Sequence, residues 1–391
     1  MTPAARLQAA IEVLDQVIGS AKSDGPPADA IVTRYFKTRR YAGSKDRRAV
    51  RELVFRAIRR AAELPDSGRA AIVGLAADDA ELPSLFGEPR GPALLGDDEP
   101  GTPASLIPDW IQTELSSLVT SDEWPALLER APLDLRVNAA RVSRDVMLGE
   151  IEGAEPTALS PWGLRLPADT RIDTLPAFLD GRIEVQDEGS QLIALACAPS
   201  DGDRVLDRCA GAGGKALAMA AAAPGASILA TDSNRARLSQ LQPRAARAGA
   251  VIETRLLNPP TELNDLSDWC GAADIVLVDA PCSGSGTWRR NPEGRWRLTP
   301  ERLARLVSTQ ERLLDIAADL VRPGGALIYA VCSLLKVEGA GQVGRFVERR
   351  SSWIIEDAGI PGGRSDGGGR LLTPGHDGTD GFFVARLRRP C

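Results

Sequence analysis

Histidine is nearly absent from this 391-residue chain, which has one, His376. That leaves no histidine-built zinc site and no Ser-His-Asp triad unless His376 serves alone, and it is read as an ordinary surface residue. Aromatic residues make up only 4% of the chain, a shortage that reflects composition more than function. No apolar run approaches the roughly 20 residues needed to span a bilayer, so no membrane partner is expected. The N-terminal stretch is amphipathic and carries Glu12 and Asp15, unlike a signal peptide, so the expected location is cytoplasmic. The six cysteines, at positions 197, 209, 270, 282, 332 and 391, form no CxxC pair. Neither a disulfide framework nor a metal site is expected, and the thiols read as reduced.

What is present is uneven. A net charge of −6 argues against non-specific coating of nucleic acid. Residues 34–60, however, hold eleven Lys and Arg against Asp46 and Glu52, while residues 78–99 are acidic. Arg39, Arg40, Lys45, Arg47 and Arg48 lie there with Tyr35, Phe36 and Tyr41 interleaved. That mixture marks a candidate RNA or protein contact, the plainer alternative being a solvated helix face.

Three regions follow from the patterning. Helical periodicity recurs over 4–20, 28–37, 44–64 (with Ser44 as a candidate cap), 68–76, 81–86 and 106–130, interrupted by a Pro- and Gly-rich loop at 87–105. Residues 1–130 therefore read as an all-α module. Residues 131–182 read as a small α+β segment, with strands at 133–138 and 163–166 around a helix at 143–152. From 183 onward strands at 204–208, 227–231, 251–255, 274–279, 326–332 and 381–387 alternate with helices, the pattern of a doubly wound parallel sheet.

Strand 204–208 runs into Cys209-Ala210-Gly211-Ala212-Gly213-Gly214-Lys215 and then a helix. Such a loop lets backbone approach a ligand and offers helix N–H groups to negative charge. It is not a Walker A loop, since 209 is Cys and 216 is Ala. Asp232 ends the next strand, placed to bind ribose hydroxyls. The combination indicates an adenosine-containing cofactor and leaves nicotinamide dinucleotide and S-adenosylmethionine both open.

The stretch 274–296, DIVLVDAPCSGSGTWRRNPEGRW, puts Asp279 and Cys282 just beyond one strand, and Cys332 ends another. If these strands are neighbours they lie about 4.8 Å apart, with both thiols at the cofactor crevice. A lone cysteine is usually a small buried hydrophobe. A pair at matching strand ends, one directly after Asp279-Ala280-Pro281, favours chemistry instead. Methylation at carbon 5 of a pyrimidine supplies a reason: a thiolate added at carbon 6 makes carbon 5 nucleophilic, and a carboxylate such as Asp279 at the N3/N4 edge delivers a proton. That reasoning favours S-adenosylmethionine.

Asp207–Lys215, Asp279–Gly284 and Val331-Cys332-Ser333 resemble motifs I, IV and VI of the Nop/Sun family of RNA cytosine-C5 methyltransferases. Val185–Leu192 resembles the segment before motif I, and Asp380-Gly381-Phe382-Phe383 the closing strand. The N-terminus, with Tyr41–Arg48, is similar to the NusB-like domain of the bacterial Sun/Fmu (RsmB) branch, whose members methylate 16S rRNA. The resemblance implies an α/β fold: a Rossmann-like methyltransferase domain at 183–391, preceded by the α+β segment at 131–182 and a NusB-like, RNA-binding domain at 1–130. It implies S-adenosylmethionine held by Cys209, Ala210, Gly211, Ala212, Gly213, Gly214, Lys215, Asp232, Asn258 and Asp279. Cys332 would be the nucleophile and Cys282 would assist product release. Arg289, Arg290 and Arg295, with Trp288 and Trp296, would form a loop gripping RNA. The chain departs from the family pattern at Ala212, Ala216, Asn258, Val331, Lys336 and Gly339. A monomer acting on 16S rRNA without a metal is expected. The rivals are the same chemistry on tRNA or another rRNA site, a non-catalytic RNA-binding assembly or antitermination factor, and a nicotinamide dehydrogenase.

Overall fold

Apolar residues three and four apart wind the N-terminal stretch into helix α1 (Pro3–Lys22), started by the Thr2 hydroxyl accepting the Ala5 N–H. The computed structural model describes residues 1–23 and 25–391. It divides into two compact units: Met1–Glu114 with Trp124–Glu129 and Thr287–Pro300, and Leu115–Glu123 with Arg130–Gly286 and Glu301–Cys391.

In the first unit, α1 packs with α2 (Ala28–Lys37), α3 (Ser44–Arg60) and α4 (Gly68–Ala76) around Leu7, Leu14, Val17, Ile31, Val54, Ile58 and Ile72. Ser44 is not the cap of α3; it is the first helical residue, and Gly43 precedes it. Asp46 accepts the Gly43 N–H at 3.2 Å and also the Met1 ammonium at 3.1 Å. Little of the helix expected at 106–130 forms. Only Asp109–Gln112 and two 3₁₀ turns, Ser121–Glu123 and Pro125–Leu127, are helical there, because prolines at 108 and 125 break the pattern. Tyr35 and Phe36 are core residues, whereas Tyr41 is 73% exposed.

The segment 287–300 overturns an expectation. Arg295 is 1% exposed and donates to the carbonyls of Pro292, Leu106, Ile58 and Arg59. Burial, then the nearby Arg59 charge, pushes its pKa down. Trp296 donates to the Ala61 carbonyl at 2.9 Å, and Trp288 and Arg289 are buried as well. In sequence these residues look like a surface grip for phosphates. In the fold Arg295 cross-links the helical unit and is buried away from any surface that RNA could reach, and of the three arginines Arg290 alone is half-buried.

In the second unit a four-stranded antiparallel sheet is built from β1 (Leu133–Val137), β2 (Glu155–Pro156), β3 (Gly163–Leu166) and β4 (Ile183–Val185), in the order β2-β3-β1-β4, with α5 (Arg144–Glu150) beside it. β4 pairs with β1, so this sheet runs past residue 182, the boundary drawn from sequence.

The large sheet begins after α6 (Glu188–Cys197). Strand β5 (Arg204–Arg208) leads into α7 (Gly214–Ala222); β6 (Ser227–Asp232), α8 (Leu241–Ala248), β7 (Glu253–Leu256) and β8 (Ala273–Asp279) follow. After α9 (Pro300–Leu320) come β9 (Val321–Val331), α10 (Ala340–Arg349), β10 (Ile354–Glu356), β11 (Arg364–Asp366), β12 (Gly369–Leu372) and β13 (Phe382–Arg388). The strand order is β11-β12-β13-β9-β8-β5-β6-β7, with β10 also on β13. Strands β7, β6, β5, β8 and β9 are parallel, and β13 returns antiparallel against β9. The central strands β6 and β8 are almost wholly buried, which is why they read as largely apolar runs, whereas β7 at the sheet edge is partly exposed. Among the described residues no helix is long and apolar enough to cross a membrane.

Arg295→Ala removes a buried cation from several carbonyls at once. It is expected to destabilise the helical unit by about 3 kcal/mol, read as a lower urea midpoint. An unchanged midpoint would show the cross-link to be idle.

Candidate active site

The parallel sheet orders the site. β8 and β9 pair in register from Ile275 against Ala326 to Asp279 against Ala330, and Ala280 N–H closes the ladder on the Ala330 carbonyl at 2.9 Å. Each chain then leaves its strand carrying a cysteine. Cys282 and Cys332 meet with their sulfurs 3.3 Å apart, within hydrogen-bonding range. The hydrogen bond to Cys332, then burial and the charges of Cys332 and Glu338, pushes the Cys282 thiol well above its ordinary pKa. Two thiols this close do not both ionise readily.

One strand over, β5 ends in the glycine loop. Cys209, Gly211 and Gly213 all have positive φ. At Gly213 a side chain would be both strained and obstructed, its Cβ falling 2.4 Å from the Leu241 side chain. Asp232, ending β6, fastens the loop: its carboxylate accepts the Gly211 N–H at 2.8 Å and the Asn234 N–H at 2.7 Å. Each carboxylate oxygen has a second lone pair, so acceptor capacity remains for a ligand hydroxyl. Asn258 is exposed just beyond β7, where Leu257 N–H bonds the Asp232 carbonyl. Burial pushes the Cys209 thiol up to about 12, so it is no third nucleophile.

Lys215 joins the loop to the thiols. Its ammonium donates to Asp279 at 2.7 Å and lies 5.3 Å from the Phe382 ring. Burial works against its charge, but Asp279, Cys332 and Asp207 outweigh burial and raise its pKa. The loop, Lys215, Asp279 and both thiols thus share one crevice at the carboxyl ends of neighbouring strands. A glycine loop running into the N-terminus of α7, with an acid at the end of the next strand, suits an adenosine-containing cofactor.

Further buried polar groups surround these residues, of which Gln310, Glu338 and Gln342 lie outside the quoted motifs. Asp207 is 1% exposed. Burial, then the charge of Asp279, pushes it up to about 8, against the pull of Lys215 and the Ala216 N–H. Glu338, Gln310, Gln342, Ser285 and Ser333 are all fully buried. Of the basic residues at 39–48, Arg39 stacks on Tyr35 and pairs with Glu12. Arg40, Lys45, Arg47 and Arg48 are exposed.

This strand order, with its glycine loop and acid, defines a Rossmann-like methyltransferase fold. The family model for 16S rRNA methyltransferase RsmB/F matches residues 194–388. The chain is 34% identical over 292 residues to ribosomal RNA small subunit methyltransferase B of Enterobacter sp. (strain 638), covering 72% of this chain and 66% of that protein. A protein of the same name from Salmonella newport (strain SL254) matches at 34% over 294 residues, again covering 66% of its length. The chain thus spans just under two thirds of these relatives. It belongs to the RsmB/F methyltransferase family. Among solved structures, PH0851 superposes over 100% of this chain and 99% of its own with a TM-score of 0.78 at 21% identity. NSun6 from Pyrococcus horikoshii with SFG covers 72% of this chain and 97% of its own, with a TM-score of 0.64 at 20% identity. Both likenesses concern the fold.

Lys215→Met removes the cation coupled to Cys332. Alkylation of Cys332 by iodoacetamide at neutral pH is expected to slow about tenfold. An unchanged rate would remove Lys215 from the thiol's surroundings.

Asp207 titrates near 8 in the folded chain and at roughly 4 when unfolded. Between these values the folded state keeps a proton that the unfolded state has lost, so this group costs stability as pH rises through the window. Asp207→Asn should therefore gain over wild type from pH 4 to pH 8 in denaturant midpoints. A difference that does not change with pH would refute the assignment.

Proposed function

We propose that this protein is an S-adenosylmethionine-dependent RNA cytosine-C5 methyltransferase acting on 16S rRNA. The observation that carries the reading is the thiol pair, 3.3 Å apart at the ends of adjacent parallel strands and beside the Lys215–Asp279 pair.

The backbone of 209–215, with Asp232, Asn258 and Asp279, would hold the cofactor, which when bound supplies an electrophilic methyl group. The Cys332 thiolate adds to cytosine carbon 6, and the carbon–sulfur bond pushes electron density toward carbon 5 and N3. Asp279, hydrogen-bonded to Lys215, faces the N3/N4 edge and passes it a proton that Lys215 can replace. Carbon 5, now nucleophilic, takes the methyl group and then loses its proton to a base. The electron pair left behind re-forms the ring double bond as Cys332 departs as thiolate, and N3 returns its proton to Asp279. Cys282, still protonated beside it, assists that release.

Outside the crevice, the exposed Arg40, Lys45, Arg47 and Arg48 with Tyr41 offer phosphate contacts and a stacking surface on the helical, NusB-like module. Family membership supports 16S rRNA as the address.

Labelled S-adenosylmethionine and unmodified total RNA test the reading with wild type, Cys332→Ala and Cys282→Ala. Wild type is expected to label 16S rRNA, Cys332→Ala to be inactive, and Cys282→Ala to accumulate a protein–RNA adduct stable on denaturing gels. Turnover by Cys332→Ala would overturn the nucleophile assignment. Label in tRNA would move the address, and no label in any RNA would overturn the enzymatic reading.

A further inference from the structure

Behind the two thiols lies a buried polar knot that the reaction as described does not use. Its centre is Glu338, fully buried, just before α10. Its carboxylate accepts the Ser283 N–H at 2.9 and 3.2 Å, the Ser333 hydroxyl at 2.6 Å and the Gln310 side-chain amide at 2.8 Å. Ser283 follows Cys282 and Ser333 follows Cys332. One carboxylate therefore grips the residue after each thiol. The grip is doubled by contacts between the serines, Ser283 to Ser333 at 3.1 Å and Ser285 to Ser333 at 3.2 Å. Gln310, reaching from α9, also bonds the Pro281 carbonyl at 2.9 Å, and Gln342 from α10 bonds Gln310 at 3.1 Å. The Tyr329 hydroxyl donates to the Glu338 carbonyl at 2.7 Å.

Every contact to the Glu338 side chain comes from a donor, so the group acts as a carboxylate throughout. A buried negative charge with this many donors is a costly feature that an apolar core would not need. The Glu338 charge helps to raise the Cys282 thiol. The charges around Cys282 are Cys332 and Glu338; Tyr329, held above its ordinary pKa by burial and then by Glu338 and Cys282, is also coupled to Arg345. On the side of Cys332 stand Lys215, Asp279 and Asp207.

We propose that Glu338 is a positioning residue for the thiol pair. It clamps the chain just after both cysteines, and its charge keeps the negative charge of the pair on Cys332 rather than Cys282. The catalytic part of this proposal rests on the methyltransferase reading; the part concerning the thiols does not.

Two measurements on the full chain test it. In Glu338→Gln the side chain keeps its shape and loses its charge. Alkylation of Cys282 by iodoacetamide, mapped by mass spectrometry across pH without RNA, is expected to move to lower pH, so that selectivity for Cys332 falls. With S-adenosylmethionine and a 16S rRNA transcript, kcat is expected to drop about 100-fold while both KM values stay within about twofold, since misplacing a reacting group costs rate rather than binding. Glu338→Asp should restore the Cys282 alkylation profile. An unchanged alkylation profile and kcat in folded Glu338→Gln would overturn the proposal. Should that variant fail to fold, Ser333→Ala keeps the charge and cuts one arm of the clamp. Its expected result is a kcat about tenfold lower with the Cys282 profile of wild type; a wild-type kcat would overturn the clamp. If wild type itself transfers no methyl group, the function fails, while the alkylation profiles still decide how the charge is held.

Discussion

The pairing of β8 with β9 is the constraint from which the site follows. Parallel strands lie about 4.8 Å apart and rise about 3.3 Å per residue. Thiols 3.3 Å from one another therefore require that both strands end at the same level. A slip of two residues would keep every side chain on its own face and still separate the sulfurs by more than 6 Å. Register is thus a functional quantity here. The sheet fixes it from Ile275 to Asp279, after an irregularity between Ala273 and Ile275. The antiparallel return of β13 on the far side of β9 buries β9 as an interior strand and removes its freedom to shift.

Beyond the strand ends the backbone must turn without a ladder, and other forces take over. Gly286 and Gly381 show one of them. Gly286 N–H bonds the Cys332 carbonyl at 3.1 Å, and Gly381 N–H bonds the Gly286 carbonyl at 2.8 Å. A side chain at Gly286 would put its Cβ 2.0 Å from the Gly381 carbonyl oxygen. Three segments remote in sequence can touch there only as bare backbone. Buried serines and the Glu338 carboxylate then satisfy the polar groups that such turns expose, as the interior demands.

This division explains what could be read from the sequence. The inner strands β6, β8 and β9 were legible because burial leaves them apolar and partly β-branched, and the candidate site was legible because a loop of glycines and two cysteines lay at strand ends. The strands β10, β11 and β12 at one end of the sheet are short, and Gly369-Arg370 or Arg364-Ser365-Asp366 carries no apolar alternation to reveal them. The stretch 106–130 has helical spacing at Ile107, Ile111 and Leu115, yet those residues are buried by a mostly irregular chain. Arg295 and Glu338 mark the firmer limit. A charged residue carries no sign of its burial, which is decided by partners elsewhere in the chain: Ile58 and Leu106 for Arg295, Ser283 and Gln310 for Glu338.

The same long-range partners resolve an ambiguity that the pair of cysteines leaves open. Two thiols in hydrogen-bonding contact are chemically equivalent until their surroundings differ. Here a cation belonging to the cofactor loop is coupled to Cys332, while a carboxylate belonging to the segment after β9 bears on Cys282. In the proposed reaction these two charges distinguish the sulfurs, with Cys332 as the nucleophile. The distinction is built from Glu338, in the segment after β9, and Lys215, in the first turn of α7, which the fold brings to the same pair of thiols. A thiol that stays protonated next to a thiolate is also the group able to return a proton when the adduct breaks. Division of labour between the cysteines therefore requires no difference in their own chemistry, only the placement of two charges by the fold.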